Sequence, residues 1–315
     1  MSQARYMSLA PVYHVVRPYL IYALTPVHAG SGKGFEEHVD LPIQRDSWGI
    51  PCIWGSSIKG ALRTAYRSGA NKEDVERLIF GPERERAHEH AGALNILDAR
   101  LFLTPTISLK FGFIYITTNL LLERTKTLFE LSGKSDYVQT LSELMEASYQ
   151  NDKALVSNNE LVLDNKIWVV DKVFDCDSTK TDLVRTSFEK ILKNVVIPVA
   201  SEMITDRVVI LPDKYGLQIL SRSTFSITRV RLDYRKKTVV SGALWDEEYV
   251  PESTMFTTAI MMSEPKGGEG IESKNAETLF KELLEGLKSV NERDFYVVLG
   301  GHETIGKGVV RFCGW

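Results

Sequence analysis

Residues 276–313, AETLFKELLEGLKSVNERDFYVVLGGHETIGKGVVRFC, set the architecture. Ala276, Leu279, Phe280, Leu283, Leu284 and Leu287 recur at helical spacing and predict an amphipathic helix. The runs at 295–299 and 309–313 are β-branched and aromatic, and they predict two strands joined by the glycine loop GGHETIGKG. A helix followed by a strand pair needs a sheet to complete it, and the other end of the chain supplies one. Residues 17–24, RPYLIYAL, read as a strand ending at Thr25-Pro26, and a helix is expected from Ile58. Strand–helix at one end and helix–strand at the other, with no regular βαβ series, predict a split α+β sheet.

Between these ends lies a long glycine-rich loop, residues 28–57, whose length calls for a functional reason. Ser56 or Ser57 is expected to cap the following helix, with Ala61, Leu62 and Ala65 inward and Lys59, Arg63 and Arg67 stacked outward. A second helix is expected over 72–80, capped by Asn71 and stopped by Gly81-Pro82, then a turn at 101–105, LFLTP. Residues 111–117 and 255–262 read as strands, 119–131 and 138–149 as helices. Short strands fall within 158–173 and 207–211 around a helix near 186–194, and PKGGEG at 265–270 reads as a flexible loop. Residues 221–240, SRSTFSITRVRLDYRKKTVV, alternate and then turn at 234–237, which predicts a β-hairpin, with LWDEEYVP leading into a further strand. Exact repeats and a Pro/Ser linker are absent, so residues 1–315 are expected to form one body with long excursions.

The chain has 315 residues and a mass of 35.5 kDa, with 43% hydrophobic and 25% charged residues, a globular composition that excludes disorder and coiled coil. Scaling predicts that roughly 75% of the extended surface is buried on folding, enough for a core without staples. Cys52, Cys176 and Cys313 show no CxxC or zinc-finger spacing and fit a reducing cytoplasm. Neither export nor membrane spanning is expected, because no leader pattern or long apolar run is present. The net charge is −3, so a polyanion site has to be local. Arg222, Arg229, Arg231, Arg235, Lys236 and Lys237 stand against Asp233 alone, and the hairpin therefore carries +5 in an acidic protein.

GGHETIGKG fits GxxxxGK, but position 308 is glycine where a P-loop places the hydroxyl for magnesium, and a strand follows where a helix is required. The loop reads instead as an amide and Lys307 cradle for an RNA phosphate, or as a plain tight turn; a nucleotide-handling enzyme is the weaker third class. HEHAG at 88–92 lacks zincin spacing, and His14, His28 and His302 are too scattered to draw together. GSSIKG at 55–60 is the strongest local pattern, since helix-start amides, two hydroxyls and Lys59 could converge on phosphate oxygens. Asp40, in HVDLPIQRD beside Arg45, is the catalytic candidate, although by its residues alone a loop-capping or salt-bridging aspartate is the stronger reading.

HAGSGKG, VDLPIQRD, GIPCIWGSSIKGALR, IFGP, HEHAGALNILDAR, SGALWDEEYVP and GGHETIGKG, in that order, resemble the RAMP-superfamily Cmr backbone subunits of type III-B CRISPR effectors. The resemblance spans nearly the whole chain. It implies a modified ferredoxin-like or RRM-like palm with a thumb hairpin at 221–240 and inserted helical segments. It also implies repeated copies along a CRISPR guide RNA, a paired target RNA, neighbouring Cmr subunits, and displacement of bases at regular intervals by the thumb. By the same resemblance Asp40 falls on the catalytic aspartate, beside Mg²⁺ or Mn²⁺, and Lys59 on a lysine that contacts guide RNA. Glu247 and Glu248 match an acidic pair, for which an ion pair is the simpler reading. The expected function is a metal-dependent endoribonuclease cutting guide-paired target, with Arg45, Ser56, Ser57, Lys59, Arg63, Arg229, Arg231 and Lys307 on RNA. The alternative is a noncatalytic RNA scaffold.

Overall fold

A computed structural model describes residues 12–32, 39–70, 72–83, 86, 88, 90–149, 152–265 and 274–315. The expected Asn71 cap, most of the PKGGEG loop and residues 33–38 of the glycine-rich loop lie outside the described residues. The chain runs β1 (Val15–Ala23), β2 (Cys52–Ile53), α1 (Gly55–Ala70), α2 (Glu73–Phe80), β3 (Leu94–Ile96), β4 (Ala99–Ser108) and β5 (Gly112–Thr118). It continues through α3 (Asn119–Leu131), α4 (Ser135–Tyr149), β6 (Leu155–Val156), β7 (Lys166–Val169), β8 (Lys172–Asp175), α5 (Thr181–Leu192), α6 (Ser201–Thr205), β9 (Val208–Leu211) and α7 (Asp213–Ser221). It closes with β10 (Phe225–Leu232), β11 (Val239–Tyr249), β12 (Met255–Met262), α8 (Ala276–Gly286), β13 (Phe295–Val298) and β14 (Val309–Gly314).

The main sheet has the order β13-β14-β1-β12-β4-β5-β9-β6. Within it β14, β1, β12 and β4 pair antiparallel throughout, with α1 and α8 packed together, which is the ferredoxin-like split βαβ arrangement. The pleat of β1 sorts its side chains between two cores. Tyr19, Ile21 and Ala23 pack with Ile58 and Leu62 of α1 and Leu279 and Leu283 of α8. Leu20 and Tyr22 face the other way, onto a core with Phe129 of α3, Leu141 of α4 and Phe188 of α5. The two ferredoxin helices touch almost backbone to backbone. A Cβ on Gly69 would lie 1.9 Å from the Gly286 carbonyl oxygen, and one on Gly286 would lie 2.2 Å from the Tyr66 ring.

Three expectations change. The α1 helix starts at Gly55, before Ile58, because the Gly55 amide is capped by Asp98 Oδ1 at 2.8 Å rather than by Ser56 or Ser57. The expected turn at 101–105 is continuous β4 strand: beyond Leu103, β12 no longer pairs with β4, so Pro105 removes no hydrogen bond needed on that side. The hairpin is β10–β11 and reaches Tyr249, so WDEEY is its returning strand, while Ser221 belongs to α7. Its turn is built by Asp233, whose Oδ1 accepts from the amides of Arg235 and Lys236 at 2.9 and 2.8 Å. None of the helices among the described residues is long and apolar enough to cross a membrane.

Candidate nucleic-acid interface at the base of the hairpin

The outer half of β10–β11 is exposed, and its alternation gives it two unlike faces. Arg229 pairs with Trp245 on one face, and Val230 pairs with Leu244 on the other. Arg231 is exposed and has no polar partner among the described residues. Toward the base, Trp245, Glu247 and Tyr249 share the Arg229 face. Glu247, 1% exposed, accepts from Tyr249 Oη at 2.5 Å, Trp245 Nε1 at 2.8 Å and Arg229 Nε at 3.1 Å. Burial pushes its carboxyl up, but these hydrogen bonds together with nearby His302 hold it below the ordinary glutamate value. His302 Nε2 is 3.5 Å from Glu247, and the His302 and His28 rings are 5.1 Å apart. His28 Nδ1–H donates to the Glu248 carbonyl at 2.7 Å. These two histidines, unconnected in the sequence, therefore meet beneath the hairpin.

Asp40 lies against the same strand. Leu41 and Glu247 form a parallel bridge, and the Asp246 amide donates to Asp40 Oδ2 at 2.9 Å. The Asp40 side chain is exposed and has no further partner among the described residues, so one carboxylate oxygen is open. Arg45 ties the loop down from the other side. Its Nη1 donates to the carbonyls of Gly49 and Ser221 at 2.8 and 2.7 Å, and its Nη2 to Glu248. Lys307 sits with Nζ 5.5 Å from the Tyr249 ring centre. Asp40, Arg45, Arg229 and Lys307 thus converge on residues 245–249.

The α1 residues are placed differently. Ser56 is exposed on its first turn, whereas Ser57 Oγ accepts from Gln44 Nε2 at 2.8 Å. Lys59 Nζ donates to the Leu94 carbonyl at 2.9 Å, and burial, reinforced by Arg63, pulls its ammonium below the usual lysine value. Arg63 donates to Glu76 at 2.6 Å and to the Gly81 carbonyl at 2.9 Å, joining α1 to α2. Arg45, Arg63, Arg229 and Ser57 are therefore each held by the protein through part of their donors or acceptors, by contacts distant in sequence. The glycine loop is likewise occupied: the amides of Gly301, Ile305, Gly306, Lys307 and Gly308 all bond to backbone carbonyls of the chain. This favours the tight turn over an amide cradle, with Glu303, Thr304, Ile305 and Gly306 exposed and Lys307 half-buried beside them.

Glu247 and Glu248 are both ion-paired, to Arg229 and Arg45. No group of three or more His, Cys, Asp or Glu side chains able to hold a metal occurs among the described residues. Of the residues that the sequence leaves without a role, Trp245 and Tyr249 carry a readable signal: the period-two pattern of WDEEY puts both on the Glu247 face.

The family model described as the RAMP superfamily matches residues 20–311. A curated relative, the CRISPR system Cmr endoribonuclease Cmr4 of Pyrococcus furiosus, is 35% identical over 304 residues, covering 94% of this chain and 95% of the relative. The CRISPR system CMR subunit Cmr4 of Saccharolobus solfataricus is 27% identical, covering 96% and 98%. Among solved structures, the type III-B Cmr-beta complex bound to cognate target RNA contains a chain matching with TM-score 0.73 at 27% identity, covering 96% of this chain and 98% of that one. Oligomeric Cmr4 from Pyrococcus furiosus matches with TM-score 0.67 at 27% identity, covering 95% and 98%. The chain belongs to the RAMP superfamily and, within it, to the Cmr backbone subunits of type III-B CRISPR complexes.

Proposed function

We propose that this chain binds CRISPR guide RNA in repeated copies, beside other Cmr subunits, and cuts the paired target RNA at regular intervals, with Asp40 as the catalytic carboxylate. The observation that carries the reading is the open Asp40 oxygen, on a carboxylate latched by the Asp246 amide to the root of a hairpin whose outer half carries Arg229, Arg231, Arg235, Lys236 and Lys237. The Pyrococcus relative is named an endoribonuclease, one matched structure holds cognate target RNA, and another is oligomeric. Three free, buried cysteines support a reducing cytoplasm.

The hairpin displaces a target nucleotide, and its ribose 2′-hydroxyl attacks the adjacent phosphorus in line. The 2′-O–P bond forms and the P–5′-O bond breaks, leaving a 2′,3′-cyclic phosphate and a 5′-hydroxyl. Asp40 accepts the 2′-hydroxyl proton or orients that hydroxyl, and water supplies a proton to the leaving oxygen. The open Asp40 oxygen is a hard donor that would hold Mg²⁺ or Mn²⁺, and the ion would neutralise charge at the phosphate. Ser56, Arg231 and Lys307 contact RNA backbone, Lys59 does so with the ammonium hydrogens its bond to Leu94 leaves free, and Arg45, Ser57, Arg63 and Arg229 both hold this surface in place and offer their remaining donors to RNA. Base pairing supplies the sequence specificity.

The Asp40–Asp246 bond is also one that a purely structural aspartate makes, which favours the noncatalytic scaffold as the second reading. Reconstitution with guide RNA and a labelled complementary target separates the two. Wild type is expected to give regularly spaced, metal-dependent products with cyclic phosphate ends. Lys59→Ala is expected to weaken RNA association, and products that persist in Asp40→Asn would leave only the scaffold.

A further inference from the structure

Trp48 is 58% exposed in a protein whose other large aromatics are mostly packed, and its loop is rigidly built. Asp46 Oδ1 accepts from the amides of Trp48 and Ile50 at 2.9 and 3.0 Å, and the Gly49 amide donates back to the Asp46 carbonyl at 3.0 Å. The Asp46 side chain is 1% exposed, and its second oxygen holds Arg124 Nη1 at 2.7 Å. The Arg124 guanidinium lies 4.7 Å from the Trp48 ring centre, so one face of the indole is covered by a fixed cation. Arg45 Nη1 binds the carbonyls of both Gly49 and Ser221, so one guanidinium ties this loop to the end of α7, where Arg222 follows in the chain. Arg222 is exposed, and its side chain has no partner among the described residues.

An exposed aromatic face braced from behind, on a loop tied to a segment that carries a free cation, suits an unpaired nucleobase and its phosphate, since every base has a π-face and stacking needs no sequence. A protein hot spot would instead sit within an apolar surround. The neighbours here are exposed Ser47, half-buried Gly49 and the Arg124 guanidinium. Asp40 is eight residues away, so Trp48 is within about 29 Å of chain from the proposed cutting site. We propose that Trp48 is a stacking platform for an unpaired base of the bound RNA, with Arg222 on the adjacent phosphate. This rests on the RNA-binding reading above and adds a specific subsite to it.

The test is binding of fluorescein-labelled guide RNA to wild type, Trp48→Phe, Trp48→Ala and, as a control for loss of a distant exposed aromatic, Tyr149→Ala. Ultraviolet crosslinking to a 4-thiouridine-substituted guide is mapped in parallel. Trp48→Ala is expected to weaken binding about tenfold, Trp48→Phe less than about threefold, and Tyr149→Ala not at all, with a crosslink at Trp48. If wild type binds the guide and Trp48→Ala binds equally well without a crosslink at Trp48, the platform is refuted and the RNA reading stands. If wild type fails to bind guide RNA, the RNA reading itself fails. Loss of self-association in Trp48→Ala without RNA, measured by light scattering with unchanged RNA affinity, would assign Trp48 to a contact between copies and overturn the proposal.

Discussion

Replacing Glu247 by alanine removes one acceptor from three donors beneath the hairpin. Tyr249 is fully buried and keeps Arg229 Nη2 as a donor at 3.3 Å, but its O–H loses its acceptor with little access to water, at about 1–3 kcal/mol. Trp245 is partly exposed and the Arg229 side chain is 30% exposed, so both rehydrate in part and add about 0.5–1 kcal/mol each. The expected loss is roughly 3 kcal/mol in urea unfolding, large against a typical domain stability of about 5–15 kcal/mol but compatible with folding. Glu247→Gln keeps the shape and one acceptor, so about half that loss is expected. Amide hydrogen exchange should localise the change to β10, β11 and the Asp246 amide that latches Asp40. A Glu247→Ala loss below about 0.5 kcal/mol, with unchanged exchange in β11, would refute the view that this carboxylate anchors the hairpin.

Gly300 has φ +84°, and a Cβ there would sit 2.1 Å from the His28 carbonyl oxygen, so Gly300→Ala should lower stability by at least about 1–3 kcal/mol in urea unfolding. Because the folded Glu247 carboxyl lies below its ordinary value, its stabilisation is present above the ordinary carboxylate range and is lost only as pH falls through the lower folded value. Protection of β11 amides should therefore persist on acidification from neutrality to that range and decline below it; loosening near pH 6 would contradict the assignment. Mn²⁺ should bind measurably to the RNA complex and not to the free chain, read by electron paramagnetic resonance, because the described residues hold no group of three or more His, Cys, Asp or Glu side chains that would make a preformed cage. Tight binding to the free chain would overturn that expectation.

Periodic segments were legible in the sequence. The helices α3 and α8, the strands β1, β12 and β14, and the Asp233 turn follow from spacing and turn chemistry that act over a few residues. Pro105 misled because its meaning depends on where β12 stops pairing, which no local pattern records. The cap of α1 comes from Asp98, across the sheet from Gly55, and a nearer serine therefore looked sufficient. The site was only partly legible. Residue type marked Asp40 and the basic stretch of the hairpin, but how an arginine is held is decided by tertiary partners: Arg45 binds Ser221 and Glu248, and Arg63 binds Glu76. His28 and His302 needed the loop closure of Gly300 and Gly301 against residue 28 to become neighbours.

The most direct measurement is single-turnover cutting of a guide-paired target by preassembled Asp40→Asn complexes, with target affinity measured on the same sample. The asparagine oxygen can still accept from the Asp246 amide, so affinity should stay within about twofold while cutting falls by at least about 100-fold, some 2.7 kcal/mol of barrier. Equal cutting by Asp40→Asn and wild type, at equal affinity, would contradict the account.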